Sequence, residues 1–186
     1  MKRPEARRRT RVPVAEAEGA PYLVFDVDGE ECALPLLSLR RVVRIDALVV
    51  PPQAPPALRG LMSLQGEPIV IVELAVALGG PASPHSPESC ALVTSPSHVA
   101  TTSVGLAIDA VSRVVDVAPM RLAPAPRLGT LVDAQLVAAM AHVGERFVPI
   151  LDIDRLLAMD EVRAAIDAGM ASAGTGDGAP ARTGEK

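Results

Sequence analysis

Three histidines and two cysteines are the residues of this 186-residue chain best suited to ligate a metal or to act as base or nucleophile. His85 sits among prolines, His98 in a polar turn and His142 near a hairpin, and none has a second ligand at helical or hairpin spacing. Cys32 and Cys90 lie far apart without the Cys-x-x-Cys spacing of a redox or zinc site, so they read as small hydrophobes in strands. Asp152 and Asp154 could pair for acid–base work. They stand, however, where a helix begins, and a carboxylate there satisfies free backbone N–H groups and the helix dipole. Gly105 lies inside an apolar run, where glycine permits close backbone approach rather than a cofactor loop. The chain contains no Gly-x-Ser-x-Gly elbow, no phosphate-cradling Gly-x-x-x-x-Gly-Lys and no His-Glu-x-x-His. These residues predict no catalytic centre, no metal and no cofactor, and they point to a protein that works by binding.

The composition constrains what it can bind. Hydrophobic residues make up 49 % of the chain but aromatic residues only 2 %, so the core is built from Val, Leu, Ile and Ala, and a base-stacking nucleic-acid platform is disfavoured. Residues 1–11 carry a charge of +5 and the rest of the chain −9. Nothing apolar follows the basic start as it would in a secretory signal, and no run is long enough to span a membrane. The expected compartment is the cytoplasm. The basic tail could contact nucleic acid or anionic lipid, or be simply solvated, whereas the acidic remainder opposes a phosphate-binding face.

The hydrophobic pattern places many short strands. Tyr22–Val27 alternates, with Leu23, Phe25 and Val27 on one face and Tyr22, Val24 and Asp26 on the other, and Asp28-Gly29 signals a type I′ hairpin turn into Glu31–Leu34. A helical turn is expected at Leu36–Arg41, a strand at Val42–Val50 and an extended loop through the prolines of 51–56. A hairpin follows at Leu58–Leu64 and Ile69–Leu74, then a short helix at Leu74–Leu78 ended by Gly79-Gly80. After a connector at 79–88 come strands at Cys90–Thr94 and Thr102–Ile108, a helical turn at Asp109–Arg113, a strand at Val114–Val117 and a long loop at 118–130. Leu131–Val143 and Phe147–Leu151 read as a last hairpin. From Asp152, Ile153, Leu156, Leu157, Met159, Val162 and Ile166 recur at helical spacing. This pattern predicts an all-β barrel or sandwich with a few short helices.

Several segments, in order, resemble the CheW family of adaptors. They are Tyr22-Leu23-Val24-Phe25 with Asp28-Gly29-Glu30-Glu31; Pro55, Gly60, Leu64-Gln65-Gly66 and Glu73-Leu74; Val104-Gly105 and Ile108-Asp109-Ala110-Val111-Ser112; and Leu151-Asp152-Ile153-Asp154 with Leu156-Leu157. The resemblance implies two five-stranded SH3-like β-barrels plus a C-terminal helix. It covers 21–158 as the CheW-like domain, with 159–168 the end of that helix; the lack of periodicity in 1–20 and the Gly-, Ala- and Thr-rich composition of 169–186 make both disordered tails. It also implies a non-enzymatic adaptor coupling the cytoplasmic tips of chemoreceptors to the regulatory domain of a CheA-type histidine kinase, at receptor arrays. The partner-binding residues would be Leu39, Arg41, Arg59, Ser63 and Gln65, with Leu39, Arg41 and Gln65 near one groove between the barrels. Family members usually carry Asn-Leu-Arg-Gly where this chain has Ser63-Leu64-Gln65-Gly66, a proline at Val70, an Asp at Glu73, and in many cases Glu at Arg41, while Pro68 intrudes here. These departures leave open an adaptor serving another machinery, such as polar localisation or a pathway unrelated to motility. A nucleic-acid-binding barrel using the basic tail is the more distant alternative.

Overall fold

The computed structural model describes residues 19–84, 86–95, 103–125 and 132–174. His85, His98, most of the basic N-terminal segment, the residues after 174 and the end of the 118–130 loop lie outside the described residues. Two sheets and three helices form the described body. In chain order the strands are β1 (Ala20–Val27), β2 (Glu30–Pro35), β3 (Arg41–Arg44), β4 (Leu58–Leu64), β5 (Glu67–Glu73), β6 (Cys90–Thr94), β7 (Val104–Ile108), β8 (Ala110–Val117), β9 (Leu122–Ala123), β10 (Val137–Val143) and β11 (Arg146–Leu151). The helices are α1 (Leu74–Ala77), α2 (Ile153–Ala158) and α3 (Asp160–Gly174). One sheet runs β8-β1-β2-β11-β10-β9 and the other β3-β6-β7-β5-β4. The first has six strands rather than five because two residues of the expected 118–130 loop, Leu122 and Ala123, pair with β10.

Each sheet encloses its own small apolar cluster. Ile45, Met62, Ile69, Ile71, Ala91, Val93 and Ala107 come together from β4, β5, β6, β7 and the end of β3. Strands spread along a flat sheet could not bring these residues together, so the sheet curls on itself. Its two outer strands are joined by the chain leaving β3, where Val49 and Leu61 exchange backbone hydrogen bonds of 2.9 and 2.8 Å. Gly60 makes that approach possible: a Cβ there would lie 3.1 Å from both the Leu48 Cβ and the Val49 carbonyl oxygen. The six-stranded sheet likewise surrounds Val24, Ala33, Val117, Ala141, Val148 and Ile150. The fold is therefore mostly β, with two SH3-like units and few helices.

The largest cluster lies between the two sheets. Leu23, Phe25, Val27, Cys32 and Leu34 of the first meet Val70, Val72, Leu92, Val104 and Leu106 of the second, with α2 and α3 adding Leu156, Val162 and Ala165. Both faces of β1 are thus buried, which is why Val24 and Phe25, neighbours pointing opposite ways, are each fully inaccessible. Fully burying side chains of this size contributes about 2 kcal/mol each.

Local structure departs from expectation in four places. Ala110–Val117 is one continuous strand rather than a helical turn followed by a strand. The bend before it is set from afar, where the Asp28 N–H donates to the Asp109 carboxylate at 2.8 Å and the Asp109 N–H to the Asp26 carbonyl at 3.0 Å. The strand expected over Val42–Val50 is regular only as far as Arg44, because Asp46 to Val50 turn away to reach β4. The last hairpin begins with a 3-10 turn at Ala134–Leu136, capped by Asp133, rather than with strand from Leu131, and Leu131 itself lies outside the described residues. The closing helix is split at Met159, whose backbone is extended, and α3 runs to Gly174, past the boundary expected at 168. Small residues allow that extension: Gly169 is buried against Val70, and a Cβ there would lie 2.7 Å from the valine Cγ1. Asp152, rather than Asp154, caps α2, accepting the Arg155 N–H at 3.1 Å.

Candidate functional site

Among the described residues, both cysteines sit where burial disfavours the thiolate. Burial pushes the Cys32 thiol up to about 12, and burial also raises Cys90, partly offset by Arg44. Thiols so placed are poor nucleophiles near neutral pH. His142 is half-buried, its ring 5.0 Å from that of Phe147. Among the described residues no three of His, Cys, Asp and Glu come close enough together to hold a metal ion.

The polar groups that do converge lie at one end of the five-stranded sheet. The β4–β5 hairpin turns through Gln65-Gly66, both with positive φ (55° and 88°). That conformation costs Gly66 nothing and is tolerated by Gln65 at the first turn position. The turn presents the Gln65 side chain toward Arg41, the first residue of β3, whose Nη1 donates to Gln65 Oε1 at 2.9 Å. Arg40 is fixed beside it by a 2.8 Å bond from its backbone N–H to the Val93 carbonyl. Arg40, Arg41, Gln65, Glu67 and Ser103 line a groove of about 270 Å³ floored by Ile69 and Val93.

Arg41 and Gln65 are therefore brought together, but the groove belongs to one sheet and does not lie between the two units as expected. Leu39 is half-buried against the large central cluster and is not among the residues lining this groove. Ser63 is exposed on β4, opposite Pro68. Arg59 lies at the other end of β4, about 20 Å of strand from Gln65.

Arg59 is turned inward by a β-bulge. Leu58 pairs with Val72 and Gly60 with Ile71, so Arg59 is the extra residue with no partner across the ladder. A bulge re-aims such a side chain, and here Arg59 Nη1 meets the carboxylate of Glu73 and donates to the Ser83 carbonyl at 3.1 Å. The Glu73 side chain is only 3 % exposed and that of Arg59 11 %. Burial raises the pKa of Glu73, with Arg59 pulling it back. The pair pins the 81–84 connector to the sheet.

Sequence reasoning did not find a second ion cluster on the six-stranded sheet, where Arg113 of β8 and Arg146 of β11 flank Glu31 of β2 at 2.6 and 3.0 Å. The hydrogen bond from Arg113 is the main reason that the Glu31 carboxyl is held below its ordinary value. Opposite charges at these three positions were visible, but only the strand order β8-β1-β2-β11 shows that they are neighbours.

Comparison with known proteins places this architecture. A family profile described as the CheW-like domain matches residues 21–161. The chemotaxis protein CheW of Klebsiella aerogenes is 22 % identical over 147 residues, covering 79 % of this chain and 87 % of that protein. A probable chemotaxis protein CheW of Rhizobium etli is 24 % identical over 144 residues, covering 77 % and 90 %. The crystal structure of the scaffolding protein TtCheW from Thermoanaerobacter tengcongensis superimposes with a TM-score of 0.68 at 20 % identity, covering 84 % of this chain and 96 % of the other, which supports the fold. With the profile spanning most of the chain and both sheets in place, the chain belongs to the CheW-like domain family.

Proposed function

We propose that this chain is a non-enzymatic adaptor that couples the cytoplasmic tips of chemoreceptors to the regulatory domain of a CheA-type histidine kinase, working in the cytoplasm at receptor arrays. The observation that carries this reading is the family match across residues 21–161, which includes both sheets and the start of α3. The relatives' description as chemotaxis and scaffolding proteins points the same way. Among the described residues no helix is long and apolar enough to cross a membrane. Leu39, Arg41, Ser63 and Gln65 are proposed to act in partner contact. Arg59 would act by holding β4 and the connector in place.

A second reading, an adaptor of this fold serving another machinery, is favoured by the Arg41–Gln65 contact, because both residues depart from the pattern usual in the family. The test is titration calorimetry of the full chain against the regulatory domain of each CheA-type kinase, and against the cytoplasmic fragment of each receptor, encoded in the same genome. Coupling predicts saturable one-to-one binding to at least one of each. A folded chain that binds a kinase but no receptor, or that binds neither, contradicts coupling and supports the second reading.

A further inference from the structure

Beside the Asp28-Gly29 turn the apolar cluster between the two sheets opens to solvent. Val27, Ala75, Leu78 and Val132 wall a cavity of about 100 Å³ there, and the exposed Asp28 and Glu30 stand at its mouth. Missing side chains keep the entrance clear. A Cβ on Gly80 would lie 2.7 Å from a carboxylate oxygen of Asp28. Asp109 stands behind the turn, its carboxylate accepting the Asp28 N–H at 2.8 Å, so three acids gather at this end of the hairpin. The arginines of the neighbouring strands are committed elsewhere, Arg113 and Arg146 to Glu31 and Arg59 to Glu73. No ion pair among the described residues involves Asp28 or Glu30.

A cavity of this size holds one side chain, and its chemistry selects which. Apolar walls with carboxylates at the entrance suit the aliphatic stem of Arg or Lys, whose charged head stays at the water boundary and bonds the acids. The chain carries such a segment. Residues 1–11, outside the described residues, hold Lys2, Arg3, Arg7, Arg8, Arg9 and Arg11 against Glu5, a charge of +5 facing −9 on the rest. The connection is long enough. From Gly19, β1 runs eight residues to Val27, about 26 Å of strand. The ten to twelve residues from Gly19 back to Arg9 and Arg7 span about 33 to 40 Å when extended. A tether of this kind raises the local concentration of the segment to about the millimolar range, so even a weak contact is populated.

We infer that the basic segment of residues 2–11 docks on its own chain at this cavity, an arginine stem between Leu78 and Val132 and the guanidinium against Asp28 and Glu30. The contact involves no partner and stands apart from the coupling reading. Amide resonances of the nitrogen-15-labelled full chain test it, compared between wild type and the triple variant Arg7→Gln, Arg8→Gln and Arg9→Gln. At low salt the amides of Asp28, Glu30 and Gly80 should differ between the two proteins, equally at every protein concentration. The difference should vanish near 1 M salt, where charges are screened within about 3 Å. A peptide of residues 2–11 added to the triple variant should move the same amides toward their wild-type positions. Combining Asp28→Asn and Glu30→Gln with the triple variant should weaken that peptide at least about tenfold, with the melting temperature unchanged. Asn accepts the positive φ of residue 28, so the turn is kept.

Identical wild-type and triple-variant spectra would overturn the inference, leaving the segment solvated. Differences confined to another face of the body would do the same. So would differences that grow with protein concentration, which place the segment on a second copy, or a peptide affinity that ignores the Asp28 and Glu30 substitutions.

Discussion

Arg59 and Arg41 belong to the same five-stranded sheet, yet their surroundings set them to opposite tasks. Arg59 is drawn under the sheet by a bulge and neutralised by a carboxylate that is itself almost inaccessible. Arg41 stands at the rim, exposed, held by an amide that leaves its charge intact. The same side chain is a structural clamp in one place and an exposed, unneutralised cation in the other, and what separates them is the intramolecular partner each finds. A buried ion pair is costly to break, because removing one member strands the other away from water. An exposed cation contributes little to folding, and its energy is available to a partner.

The largest effect should follow from breaking the buried pair. Arg59→Ala is expected to destabilise the fold by about 3 kcal/mol, measured by chemical denaturation at neutral pH. The loss should depend on pH with a definite sign. Burial already raises Glu73 above its ordinary value of 4.5, and without Arg59 nothing comparable opposes it. A folded-state carboxyl with a raised pKa favours the native state when protonated, so the variant should recover stability as pH falls toward the folded pKa and lose it as pH rises. Stability independent of pH would mean that Glu73 finds another partner.

The cluster on the other sheet gives an intermediate case with the opposite sign. Arg113 is partly exposed and pairs with Glu31, whose pKa is lowered, so the contribution is present above about pH 4.5 and disappears as pH falls through the folded value. Arg113→Ala should cost less than about 1 kcal/mol at neutral pH and almost nothing in acid, read from denaturation midpoints across pH. A larger loss in acid than at neutrality would refute the assignment.

The smallest effect on stability should come from Arg41→Gln, within about 0.5 kcal/mol by thermal melting, since the change lies on an exposed rim. A marked fall in melting temperature would make Arg41 as structural as Arg59 and erase the contrast.

How far the sequence disclosed this arrangement depended on how local each determinant was. Asp28-Gly29 was readable as a type I′ turn, and both residues have positive φ, 50° and 78°. Gly105 was readable as a site of close approach, and a Cβ there would meet the Ile71 side chain at 2.6 Å. The family and the two-sheet fold were legible from motif order. Asp109 was misread because the partners fixing its bend lie about eighty residues earlier in the chain. Arg59 was grouped with Arg41 because a bulge leaves no trace in composition. Only the register shift between Leu58 and Gly60 shows that its side chain turns inward. Gly169 was read as tail from the Gly-, Ala- and Thr-rich composition that follows it, whereas here its missing side chain lets α3 settle on Val70.

The most direct test of the adaptor reading is sedimentation of the full chain mixed with the kinase regulatory domain and the receptor cytoplasmic fragment, alone and together. The proposed coupling function predicts a ternary species of kinase, receptor and adaptor. Arg41→Glu, at a proposed contact residue, should weaken the complex, and Arg59→Ala should reduce both partners in proportion to the unfolded fraction. A folded chain that excludes one partner when the other is bound, or that forms no complex with either, would contradict it.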